Sequence, residues 1–137
     1  MQTDLYIDGN WVPSQSAQRF DVMNPATEDV IASVASADIF DTDLALNAAS
    51  TAMQKWAARS PRDRSEVLRK AWELMTARLP EFARLITLEN GKANADAMGE
   101  ATYAAEFFRW FAEEAVRVDG LIARAPASGA RIIVQHK

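Results

Sequence analysis

The spacing of apolar residues changes twice along this chain. Residues 5–34 hold short apolar runs separated by turn residues such as Gly9, a pattern typical of short strands. From about Thr42 the apolar residues recur at three- and four-residue steps, which predicts helices. After Gly120 the composition shifts again, and the β-branched residues of 131–137 predict a strand. The pattern therefore predicts a mainly α chain with an N-terminal β-meander and a C-terminal strand.

Capping residues mark where the predicted helices begin and end. Asp41 or Thr42 is expected to cap the first helix, because a short polar side chain can accept a hydrogen bond from a free N–H group. Ser60 is expected to cap the second, with Pro61 at its first helical position. Pro80 then ends that helix or starts a third one.

The longest predicted helix runs from near Asn94 to Val118, after a stop at Gly91. It is apolar on more than one side. One side carries Ala97, Ala101, Ala104, Phe108, Phe111 and Ala115, and a second carries Tyr103, Phe107 and Trp110. A helix that is apolar on most sides is expected to be buried, and 137 residues offer little to bury it. The sequence therefore predicts that this chain is part of a larger enzyme.

Composition excludes several classes of function. The chain has 15 basic and 19 acidic residues and a net charge of −4, well mixed, so neither nucleic acid nor a membrane is an expected partner. It has no cysteine, which excludes a disulfide, a thiolate metal site and a cysteine nucleophile within these residues. No apolar run approaches the length of a membrane span, and we expect a cytoplasmic protein.

Few residues indicate chemistry by themselves. His136 has no converging partner motif, so we assign it no catalytic or metal-binding role. The five glycines stand far apart and form no phosphate-binding loop. Asp96 and Glu100 lie one helical turn apart, and acids in the first turns of a helix favour its positive end. We therefore interpret that pair as structural.

Two features leave a choice open. Glu89 falls in the last turn of a helix, where a negative charge opposes the helix dipole by about 0.3–1 kcal/mol. Either Lys92 neutralises it, which the local charges favour, or a binding site requires it. Tyr103 and Phe107 share a helix face, and core packing is favoured over a substrate wall for such a pair.

Four segments of the chain together resemble the NAD(P)-dependent aldehyde dehydrogenases in their order and spacing. They are Leu5–Val12, Phe20–Thr27, Leu88–Lys92 and Trp110–Glu114. The last segment is most similar to the succinate-semialdehyde dehydrogenase branch. The resemblance implies an α/β subunit with cofactor-binding, catalytic and oligomerisation domains, of which this chain is the N-terminal portion. Residues 1–120 would be the N-terminal part of the cofactor-binding domain, and residues 121–137 a connector and the incomplete first strand of the oligomerisation domain.

The family resemblance also implies a function and two minor sites. The parent enzyme would oxidise an aldehyde, succinate semialdehyde, to a carboxylic acid with NAD or NADP, as a homo-oligomer. The cofactor loop, glutamate base and cysteine nucleophile would lie beyond this chain, so it is expected to bind no cofactor alone and to be inactive alone. By position, Glu89 and the carbonyls of Val22 and Met23 match a monovalent cation site. Tyr103 and Phe107 match the substrate entrance.

A second hypothesis treats the chain as a stand-alone helical interaction module. Such a module would self-associate or modulate the assembly of a full-length relative, whereas a fragment would pair with the remainder of its subunit. The apolar faces of the long helix and of Ile132–Val134 discriminate the two, because a fragment would aggregate through them and a module would form a defined oligomer. The fragment is favoured, since every recognisable segment matches the larger enzyme in register.

Overall fold

The structure is a computed structural model that describes residues 2–135. Four helices stand between short strands. In chain order the elements are β1 (Leu5–Ile7), β2 (Asn10–Val12), β3 (Arg19–Met23), β4 (Val30–Ala35), α1 (Ile39–Ala57), α2 (Pro61–Thr76), α3 (Leu79–Asn90), α4 (Asn94–Glu114), β5 (Leu121–Arg124) and β6 (Arg131–Val134). The mainly α fold with flanking strands is confirmed.

The strands form three separate antiparallel pairs, which corrects two expectations. β1 pairs with β2 and β3 with β4, so the N-terminal region is two hairpins and not one continuous meander. Pro13, which has no N–H to donate, ends the first hairpin. The second correction concerns β6, whose partner is β5, in a stretch that we expected to be only a connector. Gly129, with φ 66°, lies in the turn that joins them.

Helix termini follow the local capping rules, with two shifts. α2 begins as predicted, because the Ser60 hydroxyl accepts a hydrogen bond from the Asp63 N–H at 3.1 Å. α3 ends as predicted at Gly91, which has φ 73°. α1, however, is capped by Asp38 and not by Asp41 or Thr42.

The longest helix, α4, ends at Glu114, before the expected Val118. The Arg117 N–H bonds to the Glu114 carbonyl at 2.8 Å, which closes a three-residue turn in place of another helical turn.

The core lies where α2 and α3 pack against α4. α4 contributes small side chains, Ala97, Ala101, Ala105 and Ala112, all buried. Alanines let the helix backbones approach closely, and the buried Ser65 hydroxyl of α2 donates to the Ala112 carbonyl of α4 at 2.7 Å. The prediction of a buried long helix is therefore correct for Ala97 and Ala101 of the first predicted side, whereas Phe111 of that side is 53% exposed. It is wrong within this chain for the aromatic residues, since Tyr103 is 65% and Trp110 62% exposed.

α1 lies against β1 and is fixed mainly at its first turn. Asp41 is its one buried residue, and its carboxylate accepts from the Ser14 hydroxyl at 2.6 Å, the Gln15 N–H at 3.1 Å and the Asp38 N–H at 3.0 Å. Because Ser14 donates its proton to Asp41, the Ser16 hydroxyl 2.9 Å away must donate to Ser14. This chain of polar contacts ties the helix to the segment after β2.

None of the described helices is both long enough and apolar enough to cross a membrane.

Candidate functional site

An aromatic groove runs along the exposed face of α4. Tyr103, Phe107 and Phe111 follow one another at four-residue steps, so their rings are stacked along the helix. The Tyr103 and Phe107 ring centroids are 4.8 Å apart with their planes at 80°, and those of Phe107 and Phe111 are 6.3 Å apart and nearly parallel at 13°. With Trp110 and Glu106 these rings line a groove of about 360 Å³.

The aromatic groove offers a surface that a ligand could contact and no group that would react with it. Its charged lining residue, Glu106, accepts hydrogen bonds from Arg109 of the same helix, with the Arg109 Nε at 2.7 Å. That carboxylate is therefore paired within its own helix. Four rings and one paired acid offer an apolar surface for part of a ligand, but no nucleophile that could attack it.

The structure brings the two predicted entrance residues together and adds Trp110, which the sequence placed on the same side of the helix, and Phe111, which it did not. Tyr103 and Phe107 share the groove as expected, while Trp110 and Phe111 complete it. The four-residue step from Phe107 to Phe111 was the signal available in the sequence. The favoured interpretation, core packing of Tyr103 and Phe107, is wrong for this chain, because both side chains are largely exposed. Their role as a substrate entrance stays a prediction.

The candidate cation site lies at the other end of the α3–α4 unit. Glu89 is exposed in the last turn of α3, and Lys92 ion-pairs with Glu100 of α4, so that lysine is engaged elsewhere. A Cβ built on Gly91 would stand 3.0 Å from Pro25 Cγ, which places the end of α3 against the segment that follows β3. β3 contains Val22 and Met23.

The cation site itself stays a prediction. Val22 is half-buried and Met23 is largely exposed. Among residues 2–135 no group of three or more His, Cys, Asp and Glu side chains is placed to hold a metal ion. His136 lies outside the described residues.

Two groups that lie away from the aromatic groove, Asp41 and Arg69, have shifted pKa values. Hydrogen bonds hold the pKa of Asp41 below its ordinary value of 3.8, first the one from the Ser14 hydroxyl and then the one from the Asp38 N–H, against the opposing effect of burial. A hydrogen bond with Glu66, followed by the charges of Glu66 and Glu73, raises the pKa of Arg69. Both groups have structural partners, so neither shift indicates a catalytic acid or base.

Comparison with known proteins gives a consistent result along nearly the whole chain. Residues 11–137 match the model of the aldehyde dehydrogenase family. The chain is 49% identical over 108 residues to a succinate-semialdehyde dehydrogenase of Paenarthrobacter nicotinovorans, covering 79% of this chain and 24% of that protein. It is 44% identical over 115 residues to a glutarate-semialdehyde dehydrogenase of Pseudomonas putida, covering 84% of this chain and 24% of that protein.

A solved structure agrees with these relatives. The crystal structure of an Escherichia coli NADP dependent enzyme superimposes with a TM-score of 0.89 at 36% identity, over 96% of this chain and 27% of that one. The present chain thus spans about a quarter of the length of the proteins that it matches.

Proposed function

The chain belongs to the aldehyde dehydrogenase family, and from that premise we propose that it is the N-terminal part of a subunit that oxidises an aldehyde to a carboxylic acid. The observation that carries this proposal is the match of residues 11–137 to the family while the chain spans about a quarter of its relatives. The proposed substrate is the semialdehyde of a dicarboxylic acid. Succinate semialdehyde comes first, because the 49% identical relative is named for it, and glutarate semialdehyde comes second.

In this proposal the chain lines part of the substrate entrance, and the nucleophile and the cofactor-binding residues lie elsewhere in the subunit. A thiolate nucleophile is needed to form the covalent adduct from which hydride leaves, and the chain has no cysteine. The nicotinamide cofactor, NAD or NADP, would accept that hydride when bound. The widely separated glycines of this chain do not fit a loop that holds its diphosphate, so we place the cofactor-binding residues outside the chain. Tyr103 and Phe107 would guide the aldehyde inward.

The proposed partner is the remainder of the same subunit, within a homo-oligomer. The exposed rings of α4 and the exposed strands β5 and β6 support this, since large apolar surfaces are seldom left in water. Residues 121–137 would then belong to the oligomerisation domain. In the absence of that remainder we expect the chain to self-associate through the same surfaces. Self-association with a defined stoichiometry would instead favour the interaction module.

A monovalent cation is the second ligand that we propose, held by Glu89 and the carbonyls of Val22 and Met23. The exposed carboxylate of Glu89 opposes the α3 dipole, and Lys92 is engaged with Glu100. Thermal unfolding of the chain in potassium chloride and in choline chloride tests this. Potassium should raise the midpoint for the natural chain and not for the Glu89→Gln variant. An equal response of the two proteins would contradict the site.

A chimaera tests the proposed function. Residues 1–137 would replace the matching segment of the Paenarthrobacter relative, and the reduced cofactor formed from succinate semialdehyde would be measured. We expect turnover by the chimaera and none by the 137-residue chain alone. A chimaera that has the native oligomeric mass and secondary structure but no activity would overturn the proposal. Turnover by the 137-residue chain alone would contradict the prediction that it is inactive by itself.

Two variants in the chimaera test the entrance. Tyr103→Ala should raise KM with little change in kcat, because the residue would contact the substrate before the chemical step. Phe40→Ala is the matched control, since that ring is similarly exposed, at 65%, but stands on α1. Equal KM values for the two variants would show that Tyr103 does not line the substrate entrance.

A further inference from the structure

α1 carries an apolar stripe that is exposed to solvent along most of the helix. Its six positions follow one another at steps of three and four residues, so they share one side of the helix. Ile39 is 72% exposed, and Leu46 and Met53 are each 63% exposed. A row of large exposed apolar side chains indicates an interaction surface. We call these six residues the α1 seam: Ile39, Thr42, Leu46, Ala49, Met53 and Trp56.

The spacing of the α1 seam fits another helix. Steps that alternate between three and four residues repeat every seven, and one helix packs lengthwise on another through this repeat at a crossing angle of about 20°. The small side chain of Ala49 leaves room for a large side chain of the partner. The β1–β2 hairpin lies along the neighbouring side of α1, where Ala48 and Ala52 line a groove with Ile7. The hairpin therefore leaves the large residues of the seam exposed.

Two charged residues flank the α1 seam at opposite ends. Asp43 follows Thr42 near its start, and the Arg59 Cζ lies 5.6 Å from the centre of the Trp56 ring at its end. Among the described residues neither Asp43 nor Arg59 has an ion pair, whereas α2, α3 and α4 carry such pairs. Acids are favoured at the start of a helix and bases at its end. A partner helix that brings a base to Asp43 and an acid to Arg59 therefore runs antiparallel to α1.

The size of the α1 seam favours a partner in the same polypeptide over a second copy of the chain. The seam offers six residues on one helix, whereas a stable complex between separate molecules uses roughly 20–30 residues a side. A helix tethered within one polypeptide avoids most of the entropic cost of association. The chain spans about a quarter of the relatives that it matches, so most of such a polypeptide lies outside it.

We propose that the α1 seam binds one helix from the remainder of the subunit, antiparallel to α1, with a basic residue beside Asp43 and an acidic residue beside Arg59. This docking surface is additional to the exposed rings of α4 and to the strands β5 and β6. It rests on the proposed function, because it requires that the chain be part of a longer subunit.

Labelling of introduced cysteines provides the test, since the chain itself has none. Ala49→Cys places a thiol in the seam, and Gln54→Cys is the matched control, an exposed residue of α1 outside the seam. Each variant would be made in the 137-residue chain and in the chimaera with the Paenarthrobacter relative. Mass spectrometry of the peptide that carries the new cysteine would measure its rate of reaction with iodoacetamide.

We expect the Ala49→Cys thiol to react at least about tenfold more slowly in the chimaera than in the chain alone, because a covered thiol is shielded from the reagent. The Gln54→Cys thiol should react at similar rates in both proteins. Equal rates for Ala49→Cys in the two proteins, or equal slowing of Gln54→Cys, would overturn the proposal. Slow reaction in the chain alone that is lost on dilution would overturn it too, and would assign the seam to a second copy.

A charge variant tests the orientation of the partner helix. Asp43→Asn, added to Ala49→Cys, should raise the labelling rate in the chimaera by about two- to threefold, the size expected for one exposed ion pair. The rate in the chain alone should not change, and an unchanged rate in the chimaera would overturn the antiparallel assignment. A chimaera with the native oligomeric mass but no activity would overturn the proposed function and leave this comparison of labelling rates valid.

Discussion

α1 and α4 have a similar spacing of alanines and different surroundings. Both are long, with 19 and 21 residues, and both carry alanines at three- and four-residue steps. On α4 that alanine face is buried against α2 and α3. On α1 the corresponding residues, Ala45, Ala49 and Ala52, are exposed. The periodicity thus predicts a face suited to close packing, while the presence of a partner within the chain depends on the fold.

The two helices are also held by different interactions. α4 is stabilised along its length by apolar packing and by the buried Ser65–Ala112 hydrogen bond. α1 is held at one end by the carboxylate of Asp41. On α4, substitution of any residue of the buried alanine face should therefore affect stability. On α1 the same substitutions should matter only near its first turn.

The largest difference is expected from enlarging one alanine on each helix. Ala101→Leu adds three carbons to a site that is 3% exposed, and should destabilise the chain by about 1–3 kcal/mol through overpacking. Ala49→Leu on α1 should change stability by less than about 0.5 kcal/mol, because that site faces solvent. Urea unfolding followed by circular dichroism measures both. Equal effects would mean that the alanine face of α4 is not tightly packed.

The next effect comes from the hydrogen bond between α2 and α4. Ser65→Ala removes the donor to the Ala112 carbonyl and should cost about 0.5–1.5 kcal/mol of unfolding free energy. Ser50→Ala on the exposed side of α1 is the control and should be neutral or slightly stabilising, since alanine favours helix. If both variants unfold at the same urea concentration, the buried hydroxyl contributes nothing to the packing of α2 on α4.

A smaller, pH-dependent effect is expected at the start of α1. The pKa of Asp41 in the folded chain lies below its ordinary value of 3.8. Above pH 3.8 the ionised carboxylate therefore makes its full contribution to the unfolding free energy. The contribution is lost as pH falls through the folded pKa and the carboxylate is protonated. The thermal midpoints of the natural chain and of the Asp41→Asn variant should therefore differ near neutral pH and become equal in acid. A constant difference across the whole pH range would show that the Asp41 charge does not stabilise α1.

The smallest change in stability is expected at the exposed rings of α4. Trp110→Gln should alter the unfolding free energy by less than about 0.5 kcal/mol, because the residue is 62% exposed. It should nevertheless lower the mass observed by light scattering, since it removes an apolar ring from the aromatic groove. Met53→Gln on α1, at 63% exposed, is the control. A larger drop in mass for the control would place self-association on α1.

The sequence predicted much of the local structure and little of the groove chemistry. Ser60 with Pro61 and the glycine at position 91 located two helix ends, because capping depends on residues within one turn. Tyr103 and Phe107 were correctly placed on one face, four residues apart. Nothing in the sequence joined Trp72 of α2 to Val116, just beyond the end of α4, which line one groove, since they lie 44 positions apart in the chain.

By itself the sequence determined the helical periodicity, most helix boundaries, the absence of a cysteine nucleophile and the resemblance to a family. These properties depend on composition or on residues a few positions apart. The tertiary structure alone decided which face of α4 is covered, that β6 pairs with β5, and that Ser65 bonds to a carbonyl 47 residues away. Such contacts form only when distant segments pack together, and their partners are not encoded in any local pattern.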